Sequence, residues 1–185
     1  AVAEGNRETT TDNAVHYPYE KSISFTYEFL RFSPLRDVIT DQHFVTRNRF
    51  GRTAVFMARQ ISDGRVRRRI QTVLGVGVDE ASGIVIDKHG IGTLLLQGIG
   101  GSAFLIRGGP AEQIVPNLPF ISASLRVTKL EKQGDTFDFT TWCGREPTYD
   151  VVVDGTQPDP LMYAPRNPYK PPAGSRIPKC GSPYV

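Results

Sequence analysis

One stretch of the chain has the period of an amphipathic helix. Its apolar residues recur at spacings of three and four and fall on one side of a helix; they are Phe50, Ala54, Met57, Ala58 and Ile61. Thr46 is a candidate N-cap for this helix, and the dipeptide Asp63-Gly64 is a typical stop. We therefore expect one well-defined helix in this region.

Short apolar runs on either side of the helix have the pattern of buried strands. The run DVIT covers residues 37–40, and TVLGVGVD covers residues 72–79. The first run is followed directly by Asp41 and the second ends in Asp79, as strands do when they deliver polar groups to the edge of a sheet. Later candidate strands, separated by Gly and Asp turns, are residues 83–87, 92–97, 103–107, 120–129, 136–142 and 150–153. The order predicts an α/β layer whose sheet becomes mixed, with antiparallel strands at its edge.

The length of 185 residues fits one domain. Residues 1–15 are polar and without period, which predicts a mobile N-terminal arm. Residues 16–155 would form the body, in which residues 23–30 are either a strand or a short helix. Residues 156–185 are rich in proline and are predicted to be an extended tail that packs on the body or on a partner.

Composition and charge exclude several classes of protein. The chain is 39% hydrophobic and 22% charged, as in an ordinary globular domain, and no apolar run approaches the length of a membrane span. The net charge of +3 is too small to indicate a polyanionic partner. The arginines of residues 65–69 are better interpreted as a solvated loop than as a nucleic-acid patch, because no aromatic residues lie among them. We expect neither nucleic acid nor membrane as a partner, and no metal or cofactor.

The densest polar cluster follows the first predicted strand. Asp41, Gln42 and His43 stand at its carboxyl end, where open α/β sheets bind ligands. His43 is the group there that exchanges protons near neutral pH. The predicted helix adds guanidinium groups, which bind carboxylates in pairs; they are Arg47, Arg49 and Arg52.

The second predicted strand ends in Asp79 and Glu80. If the two strands are parallel neighbours, Glu80 reaches the same sheet edge as His43, where a carboxylate can orient the imidazole. An acid in a surface turn is the alternative, and spacing alone does not choose between them.

Three segments together resemble the cyanophycinase-like serine peptidases. They are ITDQHFVTRNRFGR, VGVDEASGIVID and the Gly-rich LLLQGIGGSAFLI, and the resemblance spans about residues 17–107, with weaker agreement to about residue 155. It implies a flavodoxin-like or class I glutamine amidotransferase-like α/β fold, a Ser-His-Glu type triad and cleavage of aspartyl or β-aspartyl peptides. Dimers are common in the family, so a dimer is implied as well.

The resemblance also implies roles for individual residues. His43 becomes the general base, and Glu80 the leading candidate for the third triad member, with Glu20 as a competitor. The substrate-binding set becomes Asp41, Gln42, Arg47, Arg49 and Arg52. Such a set suits a peptide substrate with acidic and arginine groups.

The chain departs from the family at the nucleophile. A serine on a strand-to-helix elbow should precede the DQHF segment, and this sequence has none there. Ser102 follows two glycines but lies after His43 and inside a strand run, so we reject it. We expect the serine to come from a separate N-terminal chain of the same precursor; the alternative is a relative that has lost catalysis and serves for binding or structure.

The chain has two cysteines, Cys143 and Cys180. They permit one disulfide, which would tie the proline-rich tail to the body, or two separate thiols. The disulfide and the absence of an initiator Met before Ala1 slightly favour a secreted, processed chain over a cytoplasmic one.

Overall fold

The computed structural model describes residues 8–26, 32–66, 71–98 and 100–177. Within them the protein is mixed α/β, with two α-helices, a short 3₁₀ turn and two β-sheets. The helices are α1 Thr11–His16 and α2 Phe50–Ser62. The strands are β1 Val38–Gln42, β2 Val73–Val78, β3 Ser82–Ile86, β4 Ile91–Leu96, β5 Ala103–Gly108, β6 Leu125–Leu130, β7 Thr136–Asp138, β8 Cys143–Gly144, β9 Thr148–Val153 and β10 Tyr163–Ala164.

The larger sheet has six strands in the order β1-β2-β5-β6-β9-β10. Strands β1 and β2 are parallel and are joined through α2, whereas every other pair in this sheet is antiparallel. The predicted strand–helix–strand unit followed by antiparallel strands is confirmed. In the register of the parallel pair, Gln42 lies opposite Val78, so both strands end at the same edge.

Helix α2 packs one face on the larger sheet. Phe50, Ala54 and Met57 are buried in one hydrophobic cluster with the alternate sheet residues Phe104 and Ile106. The predicted stripe is confirmed, but the cap is different. The N-cap is Arg49, without a side-chain hydrogen bond to the helix; the chain first makes a turn over residues 44–48.

The opposite face of the larger sheet packs on the second sheet, which has the order β3-β4-β7-β8. Leu74, Val76 and Leu105 from the first sheet share a cluster with Leu94 and Phe137 from the second. The molecule therefore has a helical layer, a central mixed sheet and a smaller antiparallel sheet. Sequence patterns predicted most of these strands but not their division between two sheets.

Residues 8–15 differ from the predicted mobile arm. Thr10 caps α1 by accepting a hydrogen bond from the Asn13 amide at 3.2 Å, and Ala14 and Val15 are fully buried. The helix is too short to have a detectable apolar period, which explains why the pattern missed it. Residues 1–7 lie outside the described residues. Of the ambiguous strand or helix at 23–30, residues 27–30 also lie outside them, and residues 23–26 form neither element.

Part of the proline-rich segment, residues 156–177, is described. Its strand β10 pairs with β9, and the ring of Tyr169 packs edge-on against Phe44, Phe50 and Phe104 with centroid distances of 5.7–6.1 Å. The Tyr169 hydroxyl is 3.1 Å from the Phe50 amide nitrogen, from which it accepts a hydrogen bond. The segment thus covers aromatic residues of the β1–α2 turn, the start of α2 and strand β5.

Candidate functional site

The candidate site lies where β1 and β2 end. His43 follows β1 directly and has a positive φ of 48°, an uncommon backbone conformation for a residue other than glycine. The next residue fixes this turn: the Phe44 amide donates to the Val78 carbonyl at 3.3 Å, and the Phe44 ring is fully buried. The turn therefore places His43 beside the residues that follow β2.

Glu80 contacts His43 at this edge. The distance between Nδ1 of His43 and Oε1 of Glu80 is 2.9 Å. The His43 side chain is 41% exposed and the Glu80 side chain is 56% exposed. An ionised carboxylate only accepts hydrogen bonds, so Nδ1 carries the proton and donates it. In the neutral imidazole, Nε2 is then the nitrogen with a free lone pair, the arrangement of a histidine that acts as a general base.

Glu20 lies far from this pair. Its neighbours Pro18 and Tyr19 contact the last turn of α2: the Pro18 carbonyl accepts from Arg59 Nη1 at 2.7 Å, and the Tyr19 hydroxyl is 2.9 Å from Ser62 Oγ. Helix α2 is about 20 Å long, and His43 precedes its other end. Glu80, and not Glu20, is the acid that the fold brings to His43.

Asp41 is the centre of a buried ion-pair network. The residue is 7% exposed. It accepts from Arg52 Nε at 2.8 Å and Nη2 at 2.5 Å, from Arg49 Nη1 at 3.2 Å and from the Thr53 hydroxyl at 3.0 Å. Its oxygens are satisfied from within the protein, so Asp41 acts here as a support for two of the predicted substrate-binding arginines.

Glu8 contacts all three of those arginines. Its Oε2 atom is 3.0 Å from Arg47 Nη1, and its Oε1 atom is 3.5 Å from Arg52 Nη1 and is hydrogen-bonded to Arg49 Nη2. The hydrogen bond from Arg49 lowers the pKa of the Glu8 carboxyl. Residue types alone gave no signal for this contact, because an acid 39 or more positions away from its partners has no local pattern.

The other predicted substrate-binding residues lie on the solvent side. Gln42 is exposed, and its backbone carbonyl accepts from Arg49 Nη1 at 2.6 Å. Arg47 is 51% exposed. The structure thus brings Asp41, Arg47, Arg49 and Arg52 together as one charged cluster, next to the His43 turn.

A second contact, which the sequence did not predict, holds the turn. The Thr46 hydroxyl donates to Asp79 Oδ1 at 3.1 Å. The Asp79 amide in turn donates to the Ser102 carbonyl at 3.0 Å, and the Ser82 hydroxyl donates to the Asp79 carbonyl at 2.7 Å. Asp79 therefore ties the turn that carries His43 to the neighbouring strand β5.

Serine hydroxyls of the described chain do not hydrogen-bond to His43. Ser82 Oγ is hydrogen-bonded to the carbonyls of Asp79 and Ser102, and Ser102 is 7% exposed directly before strand β5, without a following helix. Neither has the environment of a nucleophile elbow. A hydrolytic reaction at His43 needs a hydroxyl from elsewhere.

Cys143, the first strand residue of β8, is disulfide-bonded. Cys180, the other member of the predicted pair, lies outside the described residues, so the pairing stays a prediction. The described ranges contain no group of three or more His, Cys, Asp or Glu side chains placed to hold a metal ion. Neither described helix has the length and apolarity to cross a membrane.

Comparisons with known proteins identify no family or relative for this chain. No family model matches this sequence, and no curated protein matches it either.

Proposed function

We propose that this chain is the part of a cyanophycinase-like serine peptidase that carries the general base, and that it hydrolyses aspartyl or β-aspartyl peptide bonds. The nucleophilic serine would come from a separate N-terminal chain of the same precursor. That chain would add the strands that complete a flavodoxin-like sheet. The proline-rich stretch 156–185 would be a tail that packs on the body.

The observation that carries the proposal is the contact of 2.9 Å between His43 Nδ1 and Glu80 Oε1 at the ends of two parallel strands. A carboxylate on Nδ1 fixes the tautomer in which Nε2 accepts a proton. In the reaction, Nε2 takes the proton of the serine hydroxyl as its oxygen bonds to the substrate carbonyl carbon. His43 then returns that proton to the leaving amine as the peptide C–N bond breaks.

The arginine cluster suits the proposed substrate class. Arg47, Arg49 and Arg52 converge close to the His43 turn, and a guanidinium group binds a carboxylate through two parallel hydrogen bonds. An aspartyl substrate would present its free carboxylate to this cluster. Its scissile carbonyl would then lie toward His43.

The experiment is hydrolysis of α- and β-aspartyl dipeptides by the purified native assembly with two histidine variants. His43→Ala should lower kcat/KM by about 10³-fold or more, since a general base contributes roughly 10²–10⁴-fold and the serine loses its proton acceptor. His89→Ala, which removes an exposed histidine from a turn, is the matched control and should remain within twofold. Equal turnover by His43→Ala and wild type would refute the proposal.

A second function, binding without catalysis, is favoured by one specific observation. Arg49 and Arg52 are only 10% and 13% exposed and are already paired with Asp41 and Glu8. Buried arginines that are already paired within the protein fit a scaffold that has lost its reaction. Intact mass and N-terminal sequencing of the native material distinguish the two: a co-purifying chain with a G-x-S-x-G elbow supports the peptidase, and one without it supports the binding protein.

A further inference from the structure

Glu8 occupies the arginine cluster from the solvent side. One carboxylate contacts the guanidinium groups of Arg47, Arg49 and Arg52, while its own side chain remains 45% exposed. Asp41 contacts the same cluster from the buried side, and its side chain is only 6% exposed. A molecule from solution can therefore reach the position of the Glu8 carboxylate but not that of Asp41.

Two of the three arginines, Arg49 and Arg52, are held in place without Glu8. Arg49 Nη1 donates to Asp41 and to the Gln42 carbonyl, and Arg52 donates through Nε and Nη2 to Asp41 and through Nη1 to the Thr9 carbonyl at 2.9 Å. The Nε atom of Arg49 is buried and has no hydrogen-bond partner among the described residues. Without Glu8, three guanidinium groups would face one carboxylate, which leaves two positive charges at a site where Arg49 and Arg52 are already fixed by Asp41.

Another anion can readily replace the Glu8 carboxylate on the arginines. Ion pairs that solvent reaches contribute little to stability, because water competes for both groups. Glu8 precedes the N-cap of α1 and is not part of a helix or strand. Its side chain can leave the arginines while the buried residues Thr9 and Thr11 keep the segment in place.

We propose that Glu8 is an internal ligand of a carboxylate-binding site, and that the side-chain carboxylate of an aspartyl ligand displaces it and takes its place on Arg47, Arg49 and Arg52. The choice of an aspartyl ligand rests on the proposed function. The exchange is a reversible binding step in which no covalent bond changes. It can therefore be measured without turnover.

The experiment is isothermal titration calorimetry of the native protein with N-acetyl-L-aspartic acid amide as the probe. Glu8→Gln, which keeps the size of the side chain and removes its charge, should bind the probe about tenfold more tightly than wild type, as expected when an internal ligand fills the site roughly nine-tenths of the time. Glu112→Gln removes an exposed acid elsewhere and should bind as wild type does. N-acetyl-L-asparagine amide, which lacks the carboxylate, should bind neither protein measurably.

A second variant tests where the probe binds. Arg47 is half-exposed and contacts Glu8, so Glu8→Gln combined with Arg47→Gln should lose most of the gain in affinity. The proposal is overturned if Glu8→Gln binds the probe within twofold of wild type, if the gain survives loss of Arg47, or if Glu8→Gln fails to fold, because Glu8 would then be a structural residue. Unchanged peptidase activity in His43→Ala would refute the proposed reaction alone, so the two failures are distinguishable.

Discussion

The imidazole of His43 and the carboxylate of Glu80 are 37 residues apart in sequence and 2.9 Å apart in space. Parallel pairing of β1 with β2 produces this contact, since both residues directly follow a strand or lie within two positions of its end. The positive φ of His43 turns the chain away from β1 at that point. The pair thus depends on the sheet and on the turn together.

Glu80→Gln should lower kcat/KM for aspartyl dipeptides by roughly a hundredfold in the native assembly. A glutamine can present its amide to Nδ1 and favour the wrong tautomer, which costs about 10⁴-fold where the acid is buried. Glu80 is 56% exposed, so we expect water to replace part of its effect. Steady-state kinetics with Glu112→Gln as the control measure this, and an unchanged rate for Glu80→Gln would show that Glu80 does not orient His43.

Asp41→Asn should destabilise the fold by about 3 kcal/mol. Removal of one member of a buried ion pair costs roughly 3–5 kcal/mol, and the remaining contact of Arg49 and Arg52 with Glu8 should reduce this. Urea unfolding at pH 7 measures the difference. Gln42→Ala, on the next and exposed position of the same strand, is the control and should change the free energy of unfolding by less than about 0.5 kcal/mol. A loss below about 1 kcal/mol for Asp41→Asn would contradict a structural role for the network.

Gly77→Ala should destabilise the protein by about 1–3 kcal/mol, the usual cost of overpacking a core. A Cβ atom at residue 77 would lie 2.4–2.5 Å from the Phe44 ring, next to His43 in the chain. Gly83→Ala is the matched control, because the corresponding Cβ in strand β3 would have no heavy atom within 4 Å. Thermal unfolding of both variants tests the packing, and equal stability of the two would contradict it.

Glu8→Gln should lower the melting temperature at pH 7 by a small amount that shrinks as the pH falls below the ordinary glutamate pKa of ~4.3 and disappears below the lowered pKa of Glu8 in the folded state. The hydrogen bond from Arg49 lowers the Glu8 pKa in the folded state. Stability from a carboxyl with a lowered pKa is present above the unfolded pKa and is lost as the pH falls through the folded pKa. Calorimetric melts of wild type and variant across this range test the sign, and a difference that persists at low pH would contradict it.

The local part of the architecture could be predicted from the sequence. The stripe of α2 and the buried strand β2 depend on residues that are neighbours in the chain, so their apolar period is visible there. The placement of His43 and Glu80 at one edge followed once the two strands were assumed to be parallel. These inferences needed only the alternation of strand, helix and strand.

The features that the sequence did not predict depend on contacts between residues far apart in the chain. The ion pairs of Glu8 with Arg47, Arg49 and Arg52 join positions 39–44 apart, and no periodicity encodes them. Thr46 has the side chain of a helix cap, but its hydroxyl donates to Asp79 and α2 begins later. In both cases tertiary contacts, and not local sequence preference, determine the observed structure.

Labelling of the native assembly with a fluorophosphonate, followed by peptide mass analysis, is the most direct test of His43 as the base that activates a serine. We expect one modified serine, located in a polypeptide segment outside residues 1–185, and a labelling rate that falls at least about a hundredfold in His43→Ala but not in His89→Ala. No modified serine, a modified serine within this chain, or equal labelling of wild type and His43→Ala would contradict it.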